Sequence, residues 1–195
     1  MLFSLFCDRI FLGEFETFLT QSNDEKTKLK EKKMKRKLNS LYLTRGAAVA
    51  ACYIALTYLS AMLGLSSGVI QLRISEALCI LPIFMPEATL GLFIGCIISN
   101  LITSAVIWDV IFGSLATLIG AVGALALKRL PPRFIWCATL PTVIANALII
   151  PPVLIFAYGV TDAYWFIVTT VGIGEILSAT VCGTALYFAL KRVRF

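Results

Sequence analysis

From Thr44 onward, six apolar runs alternate with short polar or charged breaks. A helix needs roughly 17–25 residues to cross the hydrocarbon of a bilayer. Residues 44–63, 87–105, 107–127, 134–157 and 163–190 reach that length, the fourth of these despite Pro141 and Pro151. Residues 74–85 are too few for an untilted span. The pattern predicts an all-α integral membrane protein of six transmembrane helices, the second of them short.

Polar residues inside such runs are costly, so they face a cavity, a partner or a pathway. Here they are Arg73, Glu76, Glu87, Asn100, Asp109, Asn146 and Glu175. Helical spacing puts Asp109, Gly113, Thr117, Gly120 and Ala124 on one stripe, and Glu175, Ala179 and Cys182 on another. Thr142 and Asn146 share a face with Ala138 and Ile149. Small residues allow close backbone approach, so these faces are expected to meet protein rather than lipid.

Local roles compete with ligand binding at several positions. Ser75 can cap the second helix with Glu76 in its first turn, or Glu76 can pair with Arg73. Asp109 can cap the fourth helix, and the asparagines can bond between helices. Glu175 lies near mid-depth, where an ionisable group costs roughly 2.5–3.5 kcal/mol on insertion scales. Between the first two runs, LGLSSGVIQLRIS begins as a flexible turn and continues with apolar and polar residues alternating. It suits an external loop closing over a ligand, with Gln71 and Arg73 reaching in.

Composition and charge narrow the picture. The chain is 59% hydrophobic and 14% charged, against about 25% charged in soluble domains. After Gly46 its only acids are Glu76, Glu87, Asp109, Asp162 and Glu175, too few for a soluble surface. With no histidine, the commonest metal ligand and neutral-pH proton shuttle are absent. The six cysteines form no C-x-x-C pair and read as small buried hydrophobes. No Walker A motif and no D-D-x-x-D run occurs, so neither ATP hydrolysis nor acid-cluster catalysis is expected.

Basic residues gather at 26–45, at Lys128, Arg129 and Arg133, and at Lys191, Arg192 and Arg194. The positive-inside rule puts all three clusters, and both termini, in the cytoplasm. Six crossings satisfy that parity. Glu87, beside Pro86, then falls at a cytoplasmic turn and leaves the site. Residues 1–40 read as a polar, basic extension attached to a membrane domain of residues 41–195. Met34 makes a normal start, so the residues before it read as dispensable or as a misassigned start.

The segments LTRGAAVAACYIALTYL, IQLRISEALCILPIFMPEATLGLFIGCIISNLI and WDVIFGSLATLIGA resemble the QueT family, substrate-binding S components of energy-coupling factor (ECF) transporters. The likeness covers about 41–190 and leaves out 1–33. It implies an S-component-like bundle in a bacterial cytoplasmic membrane, with an external loop over the pocket. Such a subunit captures a queuosine precursor: queuine, preQ1 or a related 7-deazaguanine. Its implied partners are a transmembrane T component and two ATPase subunits that use ATP, with no cofactor in this chain and no nucleic acid. The family's A-x-x-x-A contact with the T component looks like Ala47, Ala51 and Ala55. That stripe can otherwise serve internal packing.

Gln71, Arg73, Glu76, Asn100, Asp109, Asn146 and Glu175 are the candidate ligand contacts. Glu175 or Glu76 would take the amine or guanine-like edge, and Asn100 and Asn146 the carbonyl and ring nitrogens. Trp108 or Trp165 would stack on the ring or anchor at the membrane interface. A competing reading is a self-sufficient secondary transporter or channel using Glu175 and Asp109 as ion-coupling groups; the inverted repeats that would favour it are not visible.

Overall fold

The computed structural model describes residues 40–65, 72–103, 106–159 and 162–192. The chain divides into a unit of residues 1–42 and one of residues 43–195. In the first unit, the described residues 40–42 are helical. The membrane domain is all-helical, with no strand among the described residues.

Six helical elements follow one another. They are α1 (Ser40–Met62), α2 (Ile74–Ile83), α3 (Ala88–Thr103), α4 (Ile107–Ala126), α5 (a 3-10 stretch Pro132–Thr139 continued by Leu140–Tyr158) and α6 (Tyr164–Leu190). Four of them, α1, α4, α5 and α6, are long and apolar enough to cross a membrane. The third is 16 residues long, a little shorter than its apolar run suggests. The short second helix is present, but it winds as a 3-10 helix of 10 residues. At about 2.0 Å rise per residue it reaches about 20 Å, some 5 Å more than an α-helix of that length.

The surface is apolar, and polar side chains are gathered inside beside the apolar core, unlike a soluble bundle. Leu90, Ile94, Ile98 and Leu101 of α3, with Ile111, Leu115, Ile119 and Val122 of α4, are exposed. Thr57, Ser75, Glu76, Asn100, Asp109, Thr117, Thr142, Asn146 and Glu175 are buried. Water would penalise such an exterior and lipid does not. The chain is therefore a multi-pass membrane protein.

At the centre lies α2, buried from Ser75 to Pro82. Leu78, Cys79 and Leu81 pack with Val49 and Tyr53 of α1, Leu92 and Cys96 of α3 and Ala121 of α4. On another side Ile80 joins Ile135, Ala138 and Tyr187. Small residues set the closest crossings. A methyl on Gly91 would lie 2.3 Å from the carbonyl oxygen of Gly46, and one on Gly120 would lie 2.4 Å from Thr142 Oγ1.

Two departures from regular α-helix matter for the site. Within α6, Ile176–Cys182 is π-helical. The wider turn moves the inward face, which runs Glu175, Ala179, Gly183, Tyr187, while Cys182 faces outward. The expected Glu175, Ala179, Cys182 stripe is therefore corrected by one residue at its third position. In α5, Pro151 and Pro152 sit inside the helix, which ends on Gly159 in the left-handed region at φ 67°.

Cysteine burial also differs from expectation. Cys79 and Cys96 are buried, Cys137 is half-buried, and Cys52 and Cys182 are exposed on the apolar exterior. Cys7 lies outside the described residues.

The α1–α3 crossing yields a test. Gly91→Ala should destabilise the protein by about 1–3 kcal/mol, because backbone rather than a movable side chain stands in the way. Thermal unfolding in detergent measures it. Gly172→Ala, where an added methyl would meet only Ala147 Cβ at 4.0 Å, serves as the size-matched comparison and should not destabilise.

Candidate functional site

The polar side chains occupy one end and the middle of the bundle. At one end, Arg45 at the start of α1 meets Glu87 in the α2–α3 turn at 3.4 Å. That end also holds Leu127 and Leu130 beyond α4, packed with Ile80, Ile135 and Tyr187. Arg45, Lys128, Arg129, Arg133, Lys191 and Arg192 belong to these helix ends. Glu87 thus lies with the basic residues and away from the site.

Arg73, Asn100 and Asp109 come together at the opposite end. Arg73 Nη2 lies 3.5 Å from Asp109 Oδ2 and donates to Asn100 Oδ1 at 3.1 Å. Asn100 Nδ2 in turn donates to the Asp109 carbonyl at 3.2 Å. The three elements α2, α3 and α4 are tied at that point. Gly113 leaves room for it, since a methyl there would sit 2.8 Å from Asn100 Nδ2. Two local expectations are corrected here. Arg73 forms its ion pair with Asp109, and the N-cap of α4 is Val106, with Asp109 in the first turn.

Further in, Glu76 holds the second layer. Its Oε1 accepts from the Tyr53 hydroxyl and from Thr117 Oγ1 at 3.3 Å. Its Oε2 accepts from the Cys79 thiol at 3.2 Å. The 3-10 winding makes that last contact, because it eclipses residues three apart. Ser75 does not cap α2. Its hydroxyl instead accepts from Thr57 Oγ1 at 2.8 Å, while the Ile74 N–H is taken by Ser60 Oγ at 3.1 Å. Tyr53, Thr57 and Ser60 thus form one polar edge of α1 aligned along α2.

The third layer is Glu175 with Asn146 and Thr142. Glu175 lies at the start of the π segment of α6, with the Asn146 side chain of α5 near it. Asn146 Nδ2 donates to the Thr142 carbonyl one turn away at 3.2 Å. Glu175 Oε2 and Thr142 Oγ1 are both buried and both lack a hydrogen-bond partner. Thr89 Oγ1, next to the α2–α3 turn, is a third such atom, but among them only Glu175 is a carboxylate, the group whose burial without a donor costs most.

Of the predicted ligand contacts, Arg73, Glu76, Asn100, Asp109, Asn146 and Glu175 all face this interior. Gln71 lies outside the described residues, as does most of the loop expected to close over the site. The loop's bases are joined where the Leu72 N–H donates to the Leu65 carbonyl at 2.9 Å. Trp108 and Trp165 are exposed on the exterior, Trp108 stacked on Phe112 at 6.0 Å, which fits interfacial anchors. Tyr53, Thr117 and Thr142 were missed as site residues. The spacing of Tyr53, Thr57 and Ser60, one polar residue per turn, was the signal on α1.

The exterior carries a second feature. Ala47, Ala51 and Ala55 of α1 are exposed, opposite the Tyr53 edge. A groove of about 460 Å³ runs along α1 and α3, lined by Ala51, Ile54, Ala55, Tyr58, Ser99, Ile102 and Thr103. Among the described residues, no neighbour buries the stripe.

Comparison with known proteins adds two findings. The family model described as QueT transporter matches residues 43–192. A relative from Lactococcus lactis subsp. cremoris (strain MG1363), named queuosine precursor transporter QueT, is 36% identical over 91 residues, 46% of this chain and 53% of the relative. The match thus spans about half the length of that relative. No solved structure matches.

The Glu76 layer predicts a stability effect. Tyr53→Phe removes a donor from a buried carboxylate and should cost about 1–3 kcal/mol in thermal or denaturant unfolding. Tyr58→Phe, on the exposed face of the same helix, should leave stability unchanged.

Proposed function

The chain belongs to the QueT transporter family, and we propose that it is the substrate-binding S component of an ECF-type importer for a queuosine precursor. The ligand is a 7-deazaguanine: queuine, the aminomethyl base preQ1 or the nitrile preQ0. It enters from outside, toward the Arg73–Asn100–Asp109 end. The basic helix ends lie in the cytoplasm of a bacterial cell membrane, with both termini on that side. Energy comes from a transmembrane T component and two ATPases. The chain performs no catalysis of its own.

The observation that carries this reading is the two-sidedness of α1. Its inner edge, through Tyr53, reaches the carboxylate layer; its outer edge is a bare alanine stripe beside a groove. Lipid makes no demand for small residues in register, whereas a helix from another subunit does. A stand-alone transporter has no use for that outer edge. The interior suits a deazaguanine because carboxylates and amides accept from its donor-rich edge and donate to its carbonyl and ring nitrogens.

Two measurements check the reading. Uptake of labelled preQ1 by cells should require coexpression of the T component and ATPases; full uptake by this chain alone would overturn it. Ala51→Trp should abolish most uptake, by roughly 10-fold or more, while the purified variant binds preQ1 as the parent does. Equal loss of both would reassign the stripe to the fold itself.

A further inference from the structure

Resting on the deazaguanine reading, we propose that the ligand is bound as a cation whose amine pairs with Glu175, and that Glu76 belongs to the scaffold. The argument begins with charge. Among the described residues, the buried interior away from the Arg45–Glu87 end holds carboxylates at Glu76, Asp109 and Glu175, with the partly buried guanidinium of Arg73 at its edge. Arg73 is taken up by Asp109 and Asn100. Two carboxylates are left without a cationic partner in surroundings where an unpaired charge is expensive.

These two are not equivalent. Both oxygens of Glu76 accept from neighbours on α1, α2 and α4, so that carboxylate is satisfied by the fold. Glu175 is 5% exposed and its Oε2 has no partner. One turn along α5 from Asn146, Thr142 Oγ1 is also unpartnered. Asn146 donates through Nδ2, which leaves its Oδ1 as an acceptor. Glu175 and Asn146 therefore present oxygen acceptors on facing helices, and no cationic side chain among the described residues pairs with Glu175. A protonated amine brings N–H donors and one positive charge. In place of that amine, a nitrile or a hydrogen on the same ring carbon brings neither, although the ring keeps its own N–H donors. The π segment that begins after Glu175 widens the helix at that point, a feature that recurs at functional sites.

The test uses the purified full chain in detergent and two bases with the same ring. One is 7-aminomethyl-7-deazaguanine, cationic at neutral pH; the other is 7-cyano-7-deazaguanine, which is uncharged. Calorimetry should show the amine binding roughly 100-fold tighter than the nitrile, the order expected for a buried charge pair. In Glu175→Gln that preference should fall below about 10-fold. In Glu76→Gln it should persist, with the variant's loss appearing as lower thermal stability. Equal or tighter binding of the nitrile by the parent protein would overturn the charge assignment and leave the deazaguanine reading intact. An undiminished preference in folded Glu175→Gln would overturn the role of Glu175. Binding of neither base by folded parent protein would overturn the deazaguanine reading and this inference with it.

Discussion

A carboxylate at the centre of an apolar bundle has to be given donors, and Glu76 organises the helices around that need. Its partners come from three elements: Tyr53 on α1, Cys79 on α2 and Thr117 on α4. Each is buried, so no water replaces a lost bond. The narrow 3-10 form of α2 belongs to the same arrangement. It brings Cys79 under Glu76 and extends ten residues over about 20 Å. Apolar packing surrounds this layer, but lipid is as apolar as leucine and does little to choose one helix register over another. Polar bonds of fixed direction do choose.

The same consideration separates the two ends of the bundle. At the basic end Glu87 is buried against a partly exposed Arg45, and Gly46 crosses close to Gly91. That is a clamp between α1 and α3 with little room to move. At the other end Arg73 reaches Asn100 and Asp109 from the base of a loop. That guanidinium ties α2, α3 and α4 together at this end, as Arg45 and Glu87 tie α1 to the α2–α3 turn at the other. The interior between the ends holds the unsatisfied oxygens of Glu175 and Thr142.

Most of the architecture was legible in the sequence because lipid leaves a plain record: long apolar runs, basic flanks and polar residues at helical spacing. The stripe Asp109, Gly113, Thr117, Gly120, Ala124 is buried as its spacing predicts. What was not legible depended on winding. Ser75 before an acidic first turn resembles a helix cap, yet Thr57 claims its hydroxyl because α2 lies against α1 along its whole start. Cys182 misses its predicted face because the π segment adds to the turn. Neither 3-10 nor π winding follows from hydrophobic periodicity, since both are decided by which neighbours the backbone must fit. The polar identities of the candidate site were readable, whereas their division into bonded and unbonded groups needed coordinates.

Helix α1 shows why that division bears on function. Tyr53 points to Glu76 while Ala51 and Ala55, two residues to either side, lie on the exterior beside the groove. A helix is stiff over so short a distance, so the inner and outer edges cannot shift independently. Thr57 and Ser60 repeat the attachment to α2 one and two turns further on. A displacement of α1 at the Glu76 layer therefore also displaces the alanine stripe, and a partner helix seated there, as proposed, would act back on the same layer by the reciprocity of coupled equilibria. The linkage is one of rigid geometry: the helix that holds Tyr53 against Glu76 also carries the exposed alanines.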